Sequence, residues 1–206
     1  MADNRNILAG IKATGPTGTS FAFFAPEDTP IPTDLWSSPL PAAWRDAGNC
    51  DTKGLTIKRS KSTTDIKSYG SFDVQRTLTT EDKKTGEVTF QETNTTALEV
   101  YNGLPLGSLT VGADGTITVD ANAVQGTGRY AVIFLSIDGD KKINFASMRC
   151  EATGTGDLNL AQGQALDRPV TLTFYPGNGF PSLREQYVMP NLATAAAGKS
   201  TSGSGA

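Results

Sequence analysis

Along this chain apolar and polar residues alternate with a period of two far more often than with a helical period. In "SFDVQRTLTT", Ser71 to Thr80, Phe72, Val74 and Leu78 fall on one side; Asp73, Gln75, Thr77 and Thr79 fall on the other, and Arg76 interrupts the apolar side. "DRPVTLTF" sets Val170, Leu172 and Phe174 against Thr171 and Thr173 in the same way. "TSFAFFA", residues 19–25, reads as a short buried strand, and the nearly all-apolar run from Ala131 to Ile137 as the central buried one. "GLTIKRS" from Gly54 predicts a strand with Leu55 and Ile57 inward, followed by a basic loop carrying Lys58, Arg59, Lys61 and Lys67. "GEVTFQET" from Gly86 pairs with the Ser71–Thr80 strand in a hairpin whose long charged tip is "EDKKTG". Further hairpins are expected around Asp114-Gly115 and Asp138-Gly139.

One segment has helical signals. Thr93 and Asn94 are capping residues, Ala97, Leu98, Val100 and Tyr101 supply an apolar face, and Gly103 is a stop. At about eight residues such a helix is marginal alone and must lie against the sheet. Five prolines among residues 26–41 exclude a central strand or a continuous helix there. Yet this stretch, from Pro26 to Cys50, carries Ile31, Leu35, Trp36, Leu40 and Trp44, too many large apolar groups for a disordered linker. Two arrangements are open: the arm folds back over its own domain, or it docks on a neighbouring subunit with both tryptophans as anchors. "PAAWRDAG" from Pro41 is expected to form a helical turn ended by Gly48.

The fold expected is mainly β: an antiparallel β-sandwich or partly open barrel with one short flanking helix. Residues 1–18 are expected to be an N-terminal extension, 19–190 the β domain including the proline-rich arm 26–50, and 191–206 ("ATAAAGKSTSGSGA" at the end) a flexible tail.

Composition narrows the chemistry. The 206 residues hold 22 glycines and 11 prolines, which suits turns and strands rather than a helical bundle. A net charge of −3 offers no general attraction to DNA or anionic lipid. The start, "MADNRNILAGIKATG", lacks the apolar core of a secretory signal, and no run approaches a membrane span, so a product of a cytoplasm is expected. With no histidine, Ser-His-Asp and Cys-His catalysis and His-ligated zinc drop out. No catalytic residue, metal or cofactor is indicated. Cys50 and Cys150 lack metal-ligand spacing and read as free, partly buried thiols. "DGDKK" at Asp138 lacks the later ligands of a calcium loop, and the glycine-rich "TGPTGTS" and "TGTGD" lack the lysine and helix of a phosphate loop.

Polar-faced strands, an aromatic arm, a charged hairpin tip and a free tail suit a subunit that assembles by edges and arms. The ordered segments "GTSFAFFAP", "DTPIPTDL", "GLTIKRSKSTTDIKSYGSFDVQRT", "GEVTFQETNTTALEVYNG", "YAVIFLSIDGDKKINF" and "ALDRPVTLTFYPG", over roughly residues 18–178, resemble the major tail (tail tube) proteins of long non-contractile-tailed bacteriophages, especially those of actinobacteria. The resemblance implies a structural subunit, not an enzyme, located in the virion tail and assembled in the host cytoplasm. It implies rings of six, stacked into a tube around a lumen for genome delivery, with other tail proteins at the tube ends and no membrane partner. Carried onto this chain, it makes Asp73, Gln75, Thr77, Gln91 and Thr93 lumen-facing, Glu81, Asp82, Lys83 and Lys84 a ring-stacking hairpin tip, and Ile31, Leu35, Trp36, Leu40 and Trp44 an inter-subunit arm. The rival classes are a virion decoration protein or immunoglobulin-like adhesin, and a hydrolase with paired acids in a pocket.

Overall fold

A computed structural model of the chain describes residues 20–36, 39–120, 128–190 and 192. The expected N-terminal extension and, apart from Leu192, the expected C-terminal tail lie outside the described residues. The strands are β1 (Ala22–Pro26), β2 (Arg45–Asp46), β3 (Cys50–Lys67), β4 (Val74–Phe90), β5 (Arg129–Asp138), β6 (Lys141–Thr155), β7 (Arg168–Phe174) and β8 (Arg184–Val188), and the helix α1 (Thr95–Tyr101) follows β4. They form one open antiparallel sheet in the order β2-β1-β5-β6-β7-β4-β3, with β8 also on β6.

β6 is the element that bends this sheet into two layers. Its N-terminal half takes β8 on one edge (Lys142–Ala146), its C-terminal half takes β7 (Cys150–Thr155), and β5 runs along the other edge. Phe24 and Tyr130 from β1 and β5 thereby meet Phe90, Val170, Leu172 and Phe174 from β4 and β7 in one core. The Phe24 and Phe90 rings stand 5.9 Å apart, edge to face. Cys150 is buried there, Cys50 is half-buried, and both are free thiols, as expected. α1 closes one side of this core. Asn94 caps it by accepting from the Ala97 N–H at 2.8 Å, and Gly103, at φ 65°, turns the chain away.

β5 is apolar on both faces, so a second cover is required. Its residues Ala131, Ile133 and Leu135, with Phe23 and Ala25 of β1 and Ala146 of β6, pack under Leu35 and Trp44, with Ile31, Trp36, Leu40 and Phe180 around them. The proline-rich arm is that cover. Its entry is pinned where Arg149 of β6 pairs with Glu27 at 2.6 Å and Asp28 at 2.8 Å. The helical turn expected at "PAAWRDAG" is instead a turn running into β2, because Arg45 and Asp46 find open backbone partners at Phe24 and Phe23.

The largest departure from the sequence pattern concerns β3 and β4. The basic stretch from Lys58 to Lys67 is strand rather than loop, and "EDKKTG" lies inside β4, with Glu81, Asp82, Lys83 and Lys84 paired to Ser62, Lys61, Ser60 and Arg59. The turn between the strands is residues 68–73. Charged residues in succession read as a tip, but on a ribbon wet on both faces they meet no penalty, since neither side of the strand is a core. β8 was not foreseen either: all five of its residues are exposed, so no apolar alternation marks it.

Candidate assembly surfaces

Three surfaces deserve a geometry: the ribbon, the arm and the outer polar face of the sheet. In the ribbon, only Lys84–Phe90 of β4 pair with β7, so Val74–Lys83 project with β3 beyond the sheet. At about 3.3 Å per residue this is roughly 30 Å of two-stranded ribbon. Gly86 sits where it leaves the core; a Cβ there would come within 2.7 Å of the Phe174 ring, so the glycine lets β4 lie under that ring. Extra residues Thr80 and Gln75 in β4 bulge the ladder, twisting the ribbon and breaking strict alternation. Two cross-strand contacts stiffen it. Arg59 donates from Nε and NH2 to Asp82 at 2.9 and 2.6 Å and holds that carboxyl below its ordinary range. Thr77 donates to Asp65 at 2.7 Å. At the end, Tyr69 and Phe72 are fully exposed (109% and 97%), with Ile66, Val74 and Leu78 partly exposed behind them. A turn that offers two aromatic rings to water is unusual unless a partner covers them.

The lumen-facing set expected from sequence does not share a face. Asp73, Gln75 and Thr77 are on the ribbon, whereas Gln91 and Thr93 follow the other end of β4, and Gln91 donates to Asp167 at 3.1 Å. The 17 residues of β4 put roughly 50 Å between them. The cause is the merged strand: two short paired strands would have brought these residues together, and one long one separates them. The apolar side expected for the same strand divides likewise, with Val88 and Phe90 in the core and Val74 and Leu78 in contact with water. Glu81–Lys83 sit at the root of the ribbon and not at a tip, and Lys84 already pairs with Phe174 of β7.

The arm takes the first of the two arrangements open from sequence and packs on its own chain. Leu35 and Trp44 are buried, at 3% and 6% exposure, within their own chain, and Ile31, Trp36 and Leu40 pack around them. Trp36 also lies under the Lys142 ammonium, 5.5 Å from the ring centre. Burial by a neighbour is not needed for these side chains. The arm is tethered at both ends to adjacent strands, so covering its own β5 costs little loop entropy.

The outer face of β6-β7-β4-β3 is the surface that sequence reasoning missed as a unit. Thr171 of β7 points away from the core that holds Val170, Leu172 and Phe174, Thr173 lies on the same side but is itself buried, and Thr85, Glu87 and Thr89 of β4 face away opposite Val88 and Phe90. Thr153 and Thr173 hydroxyls meet at 2.8 Å. Glu87 is paired to Lys58 at 2.5 Å and Glu151 to Arg129 at 2.8 Å. A groove of ≈ 330 Å³ crosses this face, lined by Thr56, Glu87, Thr89, Thr171 and the Gly154–Gly156 stretch among others, with Lys53 at its edge. The signal was present in "GEVTF" and "DRPVTLTF": the alternation that identifies the core also identifies a threonine wall behind it.

No group of three or more Cys, Asp or Glu among the described residues is placed to hold a metal ion, and no described helix is long and apolar enough to cross a membrane. Among the described residues, an open sheet with the short helix α1, a projecting ribbon and a polar wall defines a β-protein with strand edges left unpaired. The chain matches the family model of phage tail tube proteins over residues 13–199, and it belongs to that family. It is therefore a structural component of a bacteriophage virion tail that assembles with other copies and other tail proteins. No curated protein matches it.

Proposed function

We propose that six copies close into a ring, that rings stack into the tube, and that the threonine wall of β6-β7-β4-β3 lines the lumen through which the genome is delivered. The observation that carries this reading is the electrostatics of the wall: it is rich in hydroxyls, and its Glu87 and Glu151 are each neutralised by a basic partner. Such a surface hydrates a passing polyanion without gathering its phosphates, whereas rows of unpaired Lys or Arg would bind at many points. The outer edge of β3 and the Val74–Lys83 edge of β4 carry no strand partner among the described residues, so edge-to-edge joining of copies satisfies their backbone groups. Residues 19–190 act as one assembly domain in this reading, since one sheet runs from β1 to β8.

The test is imaging of the purified protein with a labelled wall. Class averages should show six-fold rings around an open bore. A Thr171→Cys variant should react with a bulky thiol reagent as a monomer and be shielded inside assembled tubes. Tubes in which position 171 remains fully reactive would put a different face on the lumen, and a protein that stays monomeric at high concentration would overturn the ring.

A further inference from the structure

Two Asn-Gly pairs occur in the chain, Asn102-Gly103 and Asn178-Gly179. In such a pair the backbone nitrogen of the glycine reaches the side-chain amide with little obstruction, because glycine has no Cβ. The fold treats the two pairs oppositely. Asn102 is half-buried at the end of α1; its Nδ2 donates to the Leu98 carbonyl at 2.8 Å, and the Gly103 N–H donates to the Val100 carbonyl at 3.2 Å. Both reacting groups are held. Asn178 and Gly179 are exposed and are the two central residues of a tight turn, with φ of 47° and 73°. Gly177 and Phe180 close that turn, each donating its N–H to the other's carbonyl, at 3.2 and 2.7 Å. Positive φ at both central positions selects Asn-Gly, so the geometry of the turn demands the very pair that cyclises most readily. Among the described residues, neither the Asn178 amide nor the Gly179 N–H has a hydrogen-bond partner.

We infer that Asn178 is a self-modification site, converting slowly and without an enzyme to aspartate and isoaspartate, and that the isoaspartate form loosens the arm. The Gly179 amide nitrogen gives its proton to hydroxide and attacks Cγ of Asn178. A C–N bond forms there, the Cγ–Nδ2 bond breaks, and Nδ2 leaves as ammonia with a proton taken from water. Water then opens the cyclic imide at one of its two carbonyls, leaving aspartate or isoaspartate. One water enters, one ammonia leaves, and nothing is oxidised or reduced. Isoaspartate adds a methylene to the main chain inside a two-residue turn, so the paired hydrogen bonds of Gly177 and Phe180 cannot both survive. The turn is fastened to the arm on two sides. Gly177 lies against the arm's entry, where a Cβ would come within 3.2 Å of Arg149 Nε and Asp28 Oδ1. Phe180 packs with Leu35 and Trp44 over β5, and its ring lies 4.0 Å below the Arg184 guanidinium. None of this depends on how copies assemble.

Peptide mass analysis of the full chain, aged in mildly alkaline buffer, tests the site. In the folded protein Asn178 should deamidate about ten-fold faster than Asn102, and the two rates should converge in urea, where the bonds that hold Asn102 and Gly103 are gone. The rate at Asn178 should rise with pH, because the deprotonated amide is the nucleophile. Equal conversion of the two in the folded protein would overturn the assignment, as would an Asn178 that stays intact while Asn102 converts in urea. The effect on the arm has its own readout. Aged protein enriched in isoaspartate at position 178 should melt below the parent. Asn178→Asp adds the charge without lengthening the backbone and tolerates the positive φ, so it should melt close to the parent. Isoaspartate-bearing protein that melts with the parent would overturn the link between turn and arm.

Discussion

At the scale of the residue, one buried carboxylate holds α1 to the segment after it and to β2. Glu99 of α1 is fully buried; its Oε1 accepts from the Gly107 and Leu109 N–H groups at 2.9 Å each, and its Oε2 lies 3.6 Å from Arg45. Glu99→Ala should therefore lower unfolding stability by about 3 kcal/mol, because two backbone donors lose a charged acceptor in a dry site. Glu99→Gln, which keeps an acceptor oxygen, should lose about 1 kcal/mol; urea melts of the two would check the order. The thiols give a pH prediction. Burial first, then the carboxylates of Asp46, Asp51 and Glu92, push the Cys50 thiol up to about 12, and burial pushes Cys150 up as well. In the unfolded chain both ionise near about 8.5. Their contribution to stability is therefore complete below that pH and is lost as pH rises toward 12. Urea midpoints should fall from pH 9 upward, and a disulfide reagent at pH 8 should find no reactive thiol until the protein unfolds. Prompt labelling of the native protein would contradict this.

Among elements, the arm and the ribbon make opposite demands. The arm is part of the subunit's own core, so Trp44→Ala should cost about 3 to 5 kcal/mol of monomer stability. Trp36 is half-buried, and Trp36→Ala should cost clearly less, with both read from thermal melts of the isolated subunit. Should Trp44→Ala melt like the parent protein, the cis packing would be refuted. The ribbon is wet on both faces and contributes little to either core. Replacing residues 60–83 by Asn-Gly, joining the paired Arg59 and Lys84 through a two-residue turn, should leave a cooperative melt within a few degrees of the parent. The same variant should form no tubes. Retained tubes would remove the ribbon from the assembly.

For the whole molecule, charge and topology act together. A chain with net charge −3, whose proposed lumen wall pairs its acids with bases, should not hold duplex DNA. Titration at 50 mM salt should give binding no tighter than about 10⁻⁴ M, the weak end of non-specific affinity. Micromolar binding to assembled tubes would contradict a wall that lets DNA slide. Introducing Thr89→Lys and Thr171→Lys should raise that affinity by at least ten-fold in assembled tubes and leave the monomer fold intact, since both side chains face away from the core.

What the sequence determined by itself was whatever local periodicity and turn chemistry specify. Alternation in "DRPVTLTF" and the apolar run at Ala131–Ile137 gave the core strands, Asn94 and Gly103 bounded the helix, and the order of segments gave the family. Tertiary structure decided three matters that periodicity does not encode. It merged two stretches into each long ribbon strand, because a strand exposed on both faces has no pattern to show where it ends. It turned the arm inward, because only the assembled sheet reveals that β5 has a second apolar face to cover. And it set Tyr69 and Leu160 at opposite poles, a consequence of antiparallel register that no single segment contains.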